Sequence, residues 1–538
     1  MNFVYFIYLL IILYLINVSK KSLHMLQQNL YNENNRYIKW VLENNKLITR
    51  NIDLFAIVFV VLALCTKSEL LINVFLSIII LVYAVSYYFF KERAKKEQNK
   101  KPLVITARVK RLIVTVSILY LIPIVIGIFT KYKIISLLVL SIMASLNYFV
   151  IFLAKVINTP IEKMVYNYYK NNAKNKLKSM PNLKIVGITG SYGKTSSKNI
   201  LADILNVKYN ALPTPKSLNT FNGLMITVNN HLSKFDDVFI AEMGAYVCGE
   251  INGLCKLVNP KYGIITSIGT AHLSTFGSEE NIQKGKMELI EYLPSDGVGV
   301  LNKDDPKQRN YSIKNDCKIL WIGIDEEDVD VRAVNIKATN KGTSFDCVFK
   351  GDDKKYHFET KLLGKHNVYN ILSGLALGRE FGLKINELQQ GVKMCRATEH
   401  RLELKKLGSF YQIDDAYNSN PIGAKSALDV LGMMDGLKVV VTPGMIELGD
   451  KQEELNRVFG EQISEVADYV ILVGEKQTKP IMEGLIDKKF NKDNIYVLND
   501  VRKAYELLNE LKQNKPNKDL YALFENDLPD TYTEIGGK

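Results

Sequence analysis

The chain has 538 residues, 47% of them hydrophobic, and a formal net charge of +13. That length exceeds what a single hydrophobic core serves, so about three or four domains are expected. Its six cysteines, Cys65, Cys248, Cys255, Cys317, Cys347 and Cys395, are scattered with no C-x-x-C pair, which argues against a zinc ribbon and a disulfide framework.

The apolar residues are unevenly spread. Long apolar runs are concentrated before about residue 156: Phe3–Val18, Leu54–Cys65, Leu70–Phe90, Leu112–Thr130 and Ile134–Ala154. Most approach the ~20 residues that a helix needs to cross the hydrocarbon. Five membrane helices are expected, or four if the short Leu54–Cys65 run does not cross. The loop from 19 to 50 carries Lys20, Lys21, Arg36, Lys39, Lys46 and Arg50, and the loop from 91 to 111 carries Lys91, Arg93, Lys95, Lys96, Lys100, Lys101, Arg108, Lys110 and Arg111. The loops between them hold only Lys67, or Lys131 and Lys133. Lysine and arginine near span ends stay on the cytoplasmic side. Five spans therefore put the N-terminus outside and everything from Lys155 onward in the cytoplasm of a multi-pass plasma-membrane protein. These basic loops read as topology and contact with anionic headgroups rather than as a nucleic-acid site. Met1–Ser19 has neither a basic leader nor a small-x-small cleavage pattern, so a cleaved signal peptide is not expected.

A basic linker from Lys163 to Pro181 opens the second half. Next come an apolar strand, Ile185–Ile188, a turn containing Gly190 and Gly193, and a helix with Ile200, Leu201 and Ile204 at helical spacing. This is the pattern of a phosphate-binding loop: small glycines let backbone N–H groups close on an anion, Lys194 reaches the outer phosphates, and the Thr195 hydroxyl suits Mg²⁺. The strict Walker spacing fails, because Ile188 stands five residues before Gly193; the looser T-G-x-x-G-K-T is present. Glu242 then ends an apolar strand, where an acid can hold a nucleotide-bound cation. A strand at Gly263–Ser267 leads to His272, and the following helix presents Lys284, Lys286 and Glu288.

The ordered segments T-G-S-Y-G-K-T, A-E-M-G, G-T-A-H-L, Q-K-G-K-M-E, G-K-H-N-V-Y-N, E-H-R-L-E, I-D-D-A-Y-N-S-N-P and M-I-E-L-G, over residues 183 to 450, resemble the Mur ligase family, and most of all its MurF branch. The resemblance implies ATP-dependent activation of a carboxylate to an acyl phosphate, attack by an amine, and release of an amide, ADP and phosphate. It further implies that Gly190, Gly193, Lys194, Thr195 and Ser196 cradle the phosphates. Thr195, Glu242 and His272 would bind Mg²⁺, two ions being expected. Lys286 would be carbamylated by CO₂ and face the second ion. Asn370, Arg401 and Asp415 would contact the nucleotide, while Asn219, Asn222, Tyr417 and Asn418 would face the substrates.

Beyond about residue 398, short strands at Val439–Thr442, Tyr469–Val473, Ile495–Leu498 and Leu520–Phe524 alternate with helical stretches, the pattern of a parallel sheet flanked by helices. The expected architecture is an α-helical membrane domain (1–158), a linker (159–182), an α/β P-loop ATPase domain (183–397) and a Rossmann-like C-terminal domain (398–538). Three departures from the family stand out. The soluble domain that binds the UDP-sugar end of the acceptor is replaced by the apolar segment, Thr442-Pro-Gly-Met-Ile-Glu-Leu-Gly stands for G-D-M-x-E-L-G, and Phe524-Glu-Asn-Asp-Leu-Pro-Asp stands where K-G-S is expected. The leading expectation is a ligase acting on a peptidoglycan-type precursor, UDP- or lipid-linked, at the cytoplasmic membrane face. A poly-γ-glutamate synthase of the same superfamily is an alternative, and so is a transporter or regulatory ATPase driven by the P-loop.

Overall fold

The computed structural model describes residues 2–29, 31–32, 35–44, 51–96, 103–339, 341–416, 419–446, 448 and 451–526. They form two compact units, residues 1–168 and 169–538.

The first unit is helical: Asn2–Gln28, Arg36–Glu43, Asn51–Cys65, Glu69–Lys96, Ala107–Phe129, Lys133–Ser145 and the start of Asn147–Lys178. Apolar residues such as Leu81, Ile122 and Phe129 lie on its outside, while polar side chains pair inside. The Tyr14 hydroxyl donates to Asp53 Oδ1 (2.7 Å), and Asn147 Nδ2 donates to the Tyr120 hydroxyl (2.9 Å). Three helices, Phe3–Gln28, Glu69–Phe89 and Ala107–Phe129, are long and apolar enough to cross a membrane.

Two of the five expected spans need correction. The run Ile134–Ala154 is not one helix: it breaks at Leu146 and turns by 88°. Asn147 opens the second piece, its side chain held by Ser22, Ser19 and Tyr120, and an asparagine whose amide is so engaged favours a helix start over a helix interior. The second run, Ile52–Cys65, is a shorter apolar helix. By length and composition, the described residues thus hold three candidate crossings, or four with the bent pair. The stretch 159–182 is largely helical, since the helix Asn147–Lys178 runs through most of it. That stretch has no glycine and several long unbranched side chains, which lose little freedom in a helix.

The second unit holds two sheets. In the first, β1 (Lys184–Thr189), β2 (Ala211–Pro213), β3 (Val238–Glu242), β4 (Tyr262–Ile265), β5 (Val298–Asn302), β6 (Lys318–Gly323), β7 (Val331–Thr339), β8 (Gly342–Phe349) and β9 (Lys355–Thr360) lie in the order β2-β3-β1-β4-β5-β6-β7-β8-β9. Pairing is parallel up to β7, and β7-β8-β9 form an antiparallel extension, which makes the sheet mixed. Alternate residues of one strand face opposite sides. Val186 and Ile188 pack with the helices Lys194–Leu205 and Lys365–Glu380, whereas Ile185 packs with Phe221–Asn230 and Glu250–Val258. The register sets Ile188 beside Glu242, so the end of β3 reaches the turn that leaves β1.

The second sheet contains β10 (Glu403–Leu407), β11 (Phe410–Asp415), β12 (Leu437–Thr442), β13 (Tyr469–Val473), β14 (Ile495–Leu498) and β15 (Leu520–Glu525), ordered β10-β11-β15-β12-β13-β14. It is parallel except for the β10–β11 hairpin. The helices Pro421–Gly432, Gln452–Ser464 and Lys479–Asp487 share one core cluster with it and Arg502–Asn514 shares the other. The return through β15 places that strand between β11 and β12 and brings Glu525 beside Asp415.

Candidate active site

The turn after β1 requires glycine. Gly190 has φ +149°, and a Cβ there would lie 2.0 Å from Thr266 Oγ1. Gly193, at φ +79°, caps the helix Lys194–Leu205, and a Cβ there would approach Asn370 Oδ1 at 3.4 Å. The turn is tied to the segment after β4: Ser191 N donates to the Ser267 carbonyl (2.7 Å), and Gly269 N donates to Ser191 Oγ (2.9 Å). Lys194 Nζ donates to the carbonyls of Gly190 (2.7 Å) and Ser191 (3.2 Å), folded back over the turn. Burial pushes its ammonium down to about 8, with the Arg401 charge adding to the shift and Glu242 opposing it. The amides of the first helical turn, including those of Thr195 and the buried Ser196, have no partner within the helix by geometry, and the helix dipole makes this end attractive to an anion.

Glu242 is the centre of a polar cluster. Its Oε1 accepts from Thr195 Oγ1 (3.1 Å) and from Asn219 Nδ2 (3.1 Å), and its Oε2 lies 3.0 Å from Lys198 Nζ. Lys198 also donates to the Lys216 carbonyl (2.6 Å). The sequence reading missed Lys198. Its signal is that it lies four residues after Lys194, hence on the same helix face. Asn219 joins this cluster, whereas Asn222 is exposed in the first turn of Phe221–Asn230.

Lys286 is 1% exposed; its Nζ donates to the Ala245 carbonyl (3.1 Å) and lies 5.1 Å from the centre of the Phe276 ring. Burial first, and then the nearby Lys194 charge, pushes its amine down to about 7 against the opposing pull of Glu250, Glu288 and Cys248. Lys284 is exposed. His272, in the left-handed region at φ +61°, packs against Tyr246 with ring centres 4.5 Å apart and the rings tilted by 57°. Burial, and then the charges of Lys194 and Lys286, hold it below its ordinary value. Asn370 is buried and donates to Asn367 (3.3 Å). Asp415, at the end of β11, accepts from Leu402 N (3.2 Å), and the charge of Arg401 acts on it and on Lys194 alike. The other two expected substrate residues, Tyr417 and Asn418, lie outside the described residues.

The donor set bears on a metal. Among the described residues, no group of three or more His, Cys, Asp or Glu could hold an ion by itself. What Thr195 and Glu242 offer is a pair of hard oxygens, the set Mg²⁺ uses when phosphates and water supply the rest. The residues therefore fit Mg²⁺ as part of a nucleotide site and not as an all-protein cage.

Two family models match the chain: the Mur ligase middle domain over residues 188–378, and the Mur ligase glutamate ligase domain over 400–520. The chain belongs to the Mur ligase family and is a ligase of the ATP-dependent, amide-bond-forming kind. Within the family it is MurF-like. The UDP-N-acetylmuramoyl-tripeptide–D-alanyl-D-alanine ligase of Bacillus subtilis is 32% identical over 342 residues, covering 63% of this chain and 72% of that one. The enzyme of the same name from Escherichia coli is 30% identical over 54% of this chain and 65% of its own length, just under two thirds. MurF of Thermotoga maritima, solved in complex with ADP, superposes with a TM-score of 0.58 at 25% identity, covering 67% of this chain and 80% of that one.

Proposed function

We propose that this chain joins a carboxylate of a peptidoglycan-type precursor to an amine at the cytoplasmic face of a membrane, using ATP. The observation that carries the reading is the convergence of the Gly190–Gly193 turn, Lys194 and Thr195 on Glu242 at the carboxyl ends of β1 and β3. Ligands of open α/β sheets bind at that edge. Residues 183–397 act as the P-loop ATP-binding domain and 398–538 as the Rossmann-like domain. The relatives named above are ligases of UDP-N-acetylmuramoyl-tripeptide and D-alanyl-D-alanine, which makes substrates of those classes the first to test.

Gly190, Gly193 and Ser196 line the phosphate end, and Lys194 swings from its carbonyl partners to the outer phosphates. Asn370, Arg401 and Asp415 hold the nucleotide, and Asn219 and Asn222 contact the substrates; the same role falls to Tyr417 and Asn418, outside the described residues. Thr195 and Glu242, with His272 as a further ligand, would hold Mg²⁺, which supplies charge neutralisation as anions are brought together. Lys286 suits carbamylation because its buried amine is held partly unprotonated: R–NH₂ and CO₂ give R–NH–COO⁻ and a proton, turning a cation into an anion able to face a second ion. The apolar exterior of the helices before residue 168, and the length of three of them, support a multi-pass membrane anchor. Replacing Lys194 by Ala should abolish ATP turnover in the full chain while leaving the helical unit folded, since the change lies in the other unit and removes no residue of its core. Turnover that persisted would refute the loop assignment.

A further inference from the structure

Arg401 is presented by a turn whose backbone is held in an unfavourable shape. His400 and Leu402, on either side of it, have φ +59° and +48°, the left-handed region that most side chains avoid and a bulky one such as leucine seldom enters. Such a conformation persists only where the surroundings fix it, and here both flanking residues are fixed. Leu402 is buried in a core cluster of the second sheet, and its N–H donates to Asp415 Oδ1 (3.2 Å). The His400 ring meets Asp414, Nδ1 to Oδ2, at 2.8 Å, and Lys405 Nζ donates to the same oxygen (2.9 Å). Burial by itself would raise the Asp414 carboxyl, but the hydrogen bonds from Lys405 and His400 outweigh it and hold the acid below the usual carboxylate range. Asp414 is therefore an ionised acceptor, and His400 the donor. The turn is also tied to the phosphate-loop helix: Arg401 N donates to the Thr398 carbonyl (3.0 Å), and Asn199 Nδ2 donates to Thr398 Oγ1 (3.2 Å). Held between two anchored neighbours, Arg401 places its charge where it acts on Lys194 and on His366.

We propose that His400 is a positioning residue: anchored on Asp414, it holds the left-handed turn that aims the Arg401 guanidinium at the nucleotide. The inference rests on the nucleotide role given to Arg401 above. Histidine suits the task because it is among the side chains that tolerate the left-handed region, and its Nδ1–H reaches a carboxylate from there. Arginine has a long side chain whose ordering costs rotamer entropy, and a backbone fixed in advance leaves less to order when the nucleotide arrives. Two cations, Arg401 and Lys194, are then kept near each other, and an anion between them relieves the repulsion. Without the Asp414 anchor the backbone at residue 400 relaxes toward ordinary negative φ, and that rotation carries Arg401 off its aim. His400 thus acts on the nucleotide only through Arg401.

The test is a double-mutant cycle read by calorimetric titration of the full chain in detergent with ADP and Mg²⁺. Arg401→Ala and His400→Ala should each weaken ADP by about tenfold, the scale of one charged hydrogen bond. The double variant should bind no more weakly than Arg401→Ala alone, an outcome that a general loss of stability would not give. His400→Asn, whose amide tolerates the left-handed region and can donate to Asp414, should stay within about threefold of wild type. Additive losses in the double variant, or unchanged ADP affinity in His400→Ala beside a loss in Arg401→Ala, would overturn the proposal and leave the nucleotide role of Arg401 standing. Unchanged affinity in Arg401→Ala would refute that role itself, and the proposal with it. If His400→Ala does not fold, Asp414→Asn combined with Arg401→Ala runs the same cycle from the other end of the anchor: non-additive losses support the proposal, and additive losses overturn it.

Discussion

Lys198 and Glu242 form a buried ion pair, Nζ to Oε2 3.0 Å, with each side chain 1% exposed. The pair fixes the carboxylate that Thr195 and Asn219 also hold, so its loss should reach both folding and activity. Lys198→Met leaves Glu242 as a buried charge with its cation gone, and should cost about 3–5 kcal/mol of stability, nearer the low end because two donors remain. Denaturant unfolding of the full chain measures it. Lys198→Met combined with Glu242→Gln should cost clearly less than the sum of the two single changes; simple additivity would mean that the pair is not coupled.

Lys286 and Lys284 lie two residues apart on one helix, yet the first is buried and the second exposed. Lys286→Ala should remove most activity, acetate or formate should restore part of it by occupying the vacated anion position, and Lys284→Ala should change little. The sign of the pH effect follows from the direction of the shift. With its folded value lowered to about 7, the uncarbamylated amine binds its proton more weakly folded than unfolded, so stability rises with pH from about 7 toward the ordinary lysine range. Lys286→Met should flatten that rise in a pH series of unfolding curves. A rise of unchanged size in the variant would mean that another group causes it.

Much of this was readable in the residues. The strands β13 and β14 begin and end where their apolar runs do, and the helix after Gly193 follows from Ile200, Leu201 and Ile204. The β7-β8-β9 extension was overlooked, although Gly342–Phe349 alternates buried and half-buried residues, the period-two signal of a strand. Lys198 and Glu525 escaped for a different reason. A lysine within a helix and a glutamate at a strand end look like surface charges until the packing buries them, and only the return of β15 beside β11 brings Glu525 to Asp415.

Topology gives a third expectation. With the bent pair taken as one crossing, a reporter fused after Lys133 should face outward and one near Lys100 should face the cytoplasm; a reporter near Lys46 should share the cytoplasmic side only if the Ile52–Cys65 helix crosses too, positions 46 and 100 lying outside the described residues. Finding the Lys133 and Lys100 fusions on one side would refute this arrangement. An outward Lys46 fusion would mean that the short Ile52–Cys65 helix does not cross.

The central claim is that ATP breakdown at the Lys194–Glu242 site is coupled to amide formation. The direct measurement is phosphate release by the full chain in detergent, followed with and without a UDP-N-acetylmuramoyl-tripeptide acceptor and D-alanyl-D-alanine, the substrates named for its relatives. Release should require acceptor and amine together, match the amide formed one for one by mass spectrometry, and vanish in Lys194→Ala. Steady ATP hydrolysis indifferent to every acceptor and amine supplied would contradict the ligase account and favour an ATPase that drives movement instead.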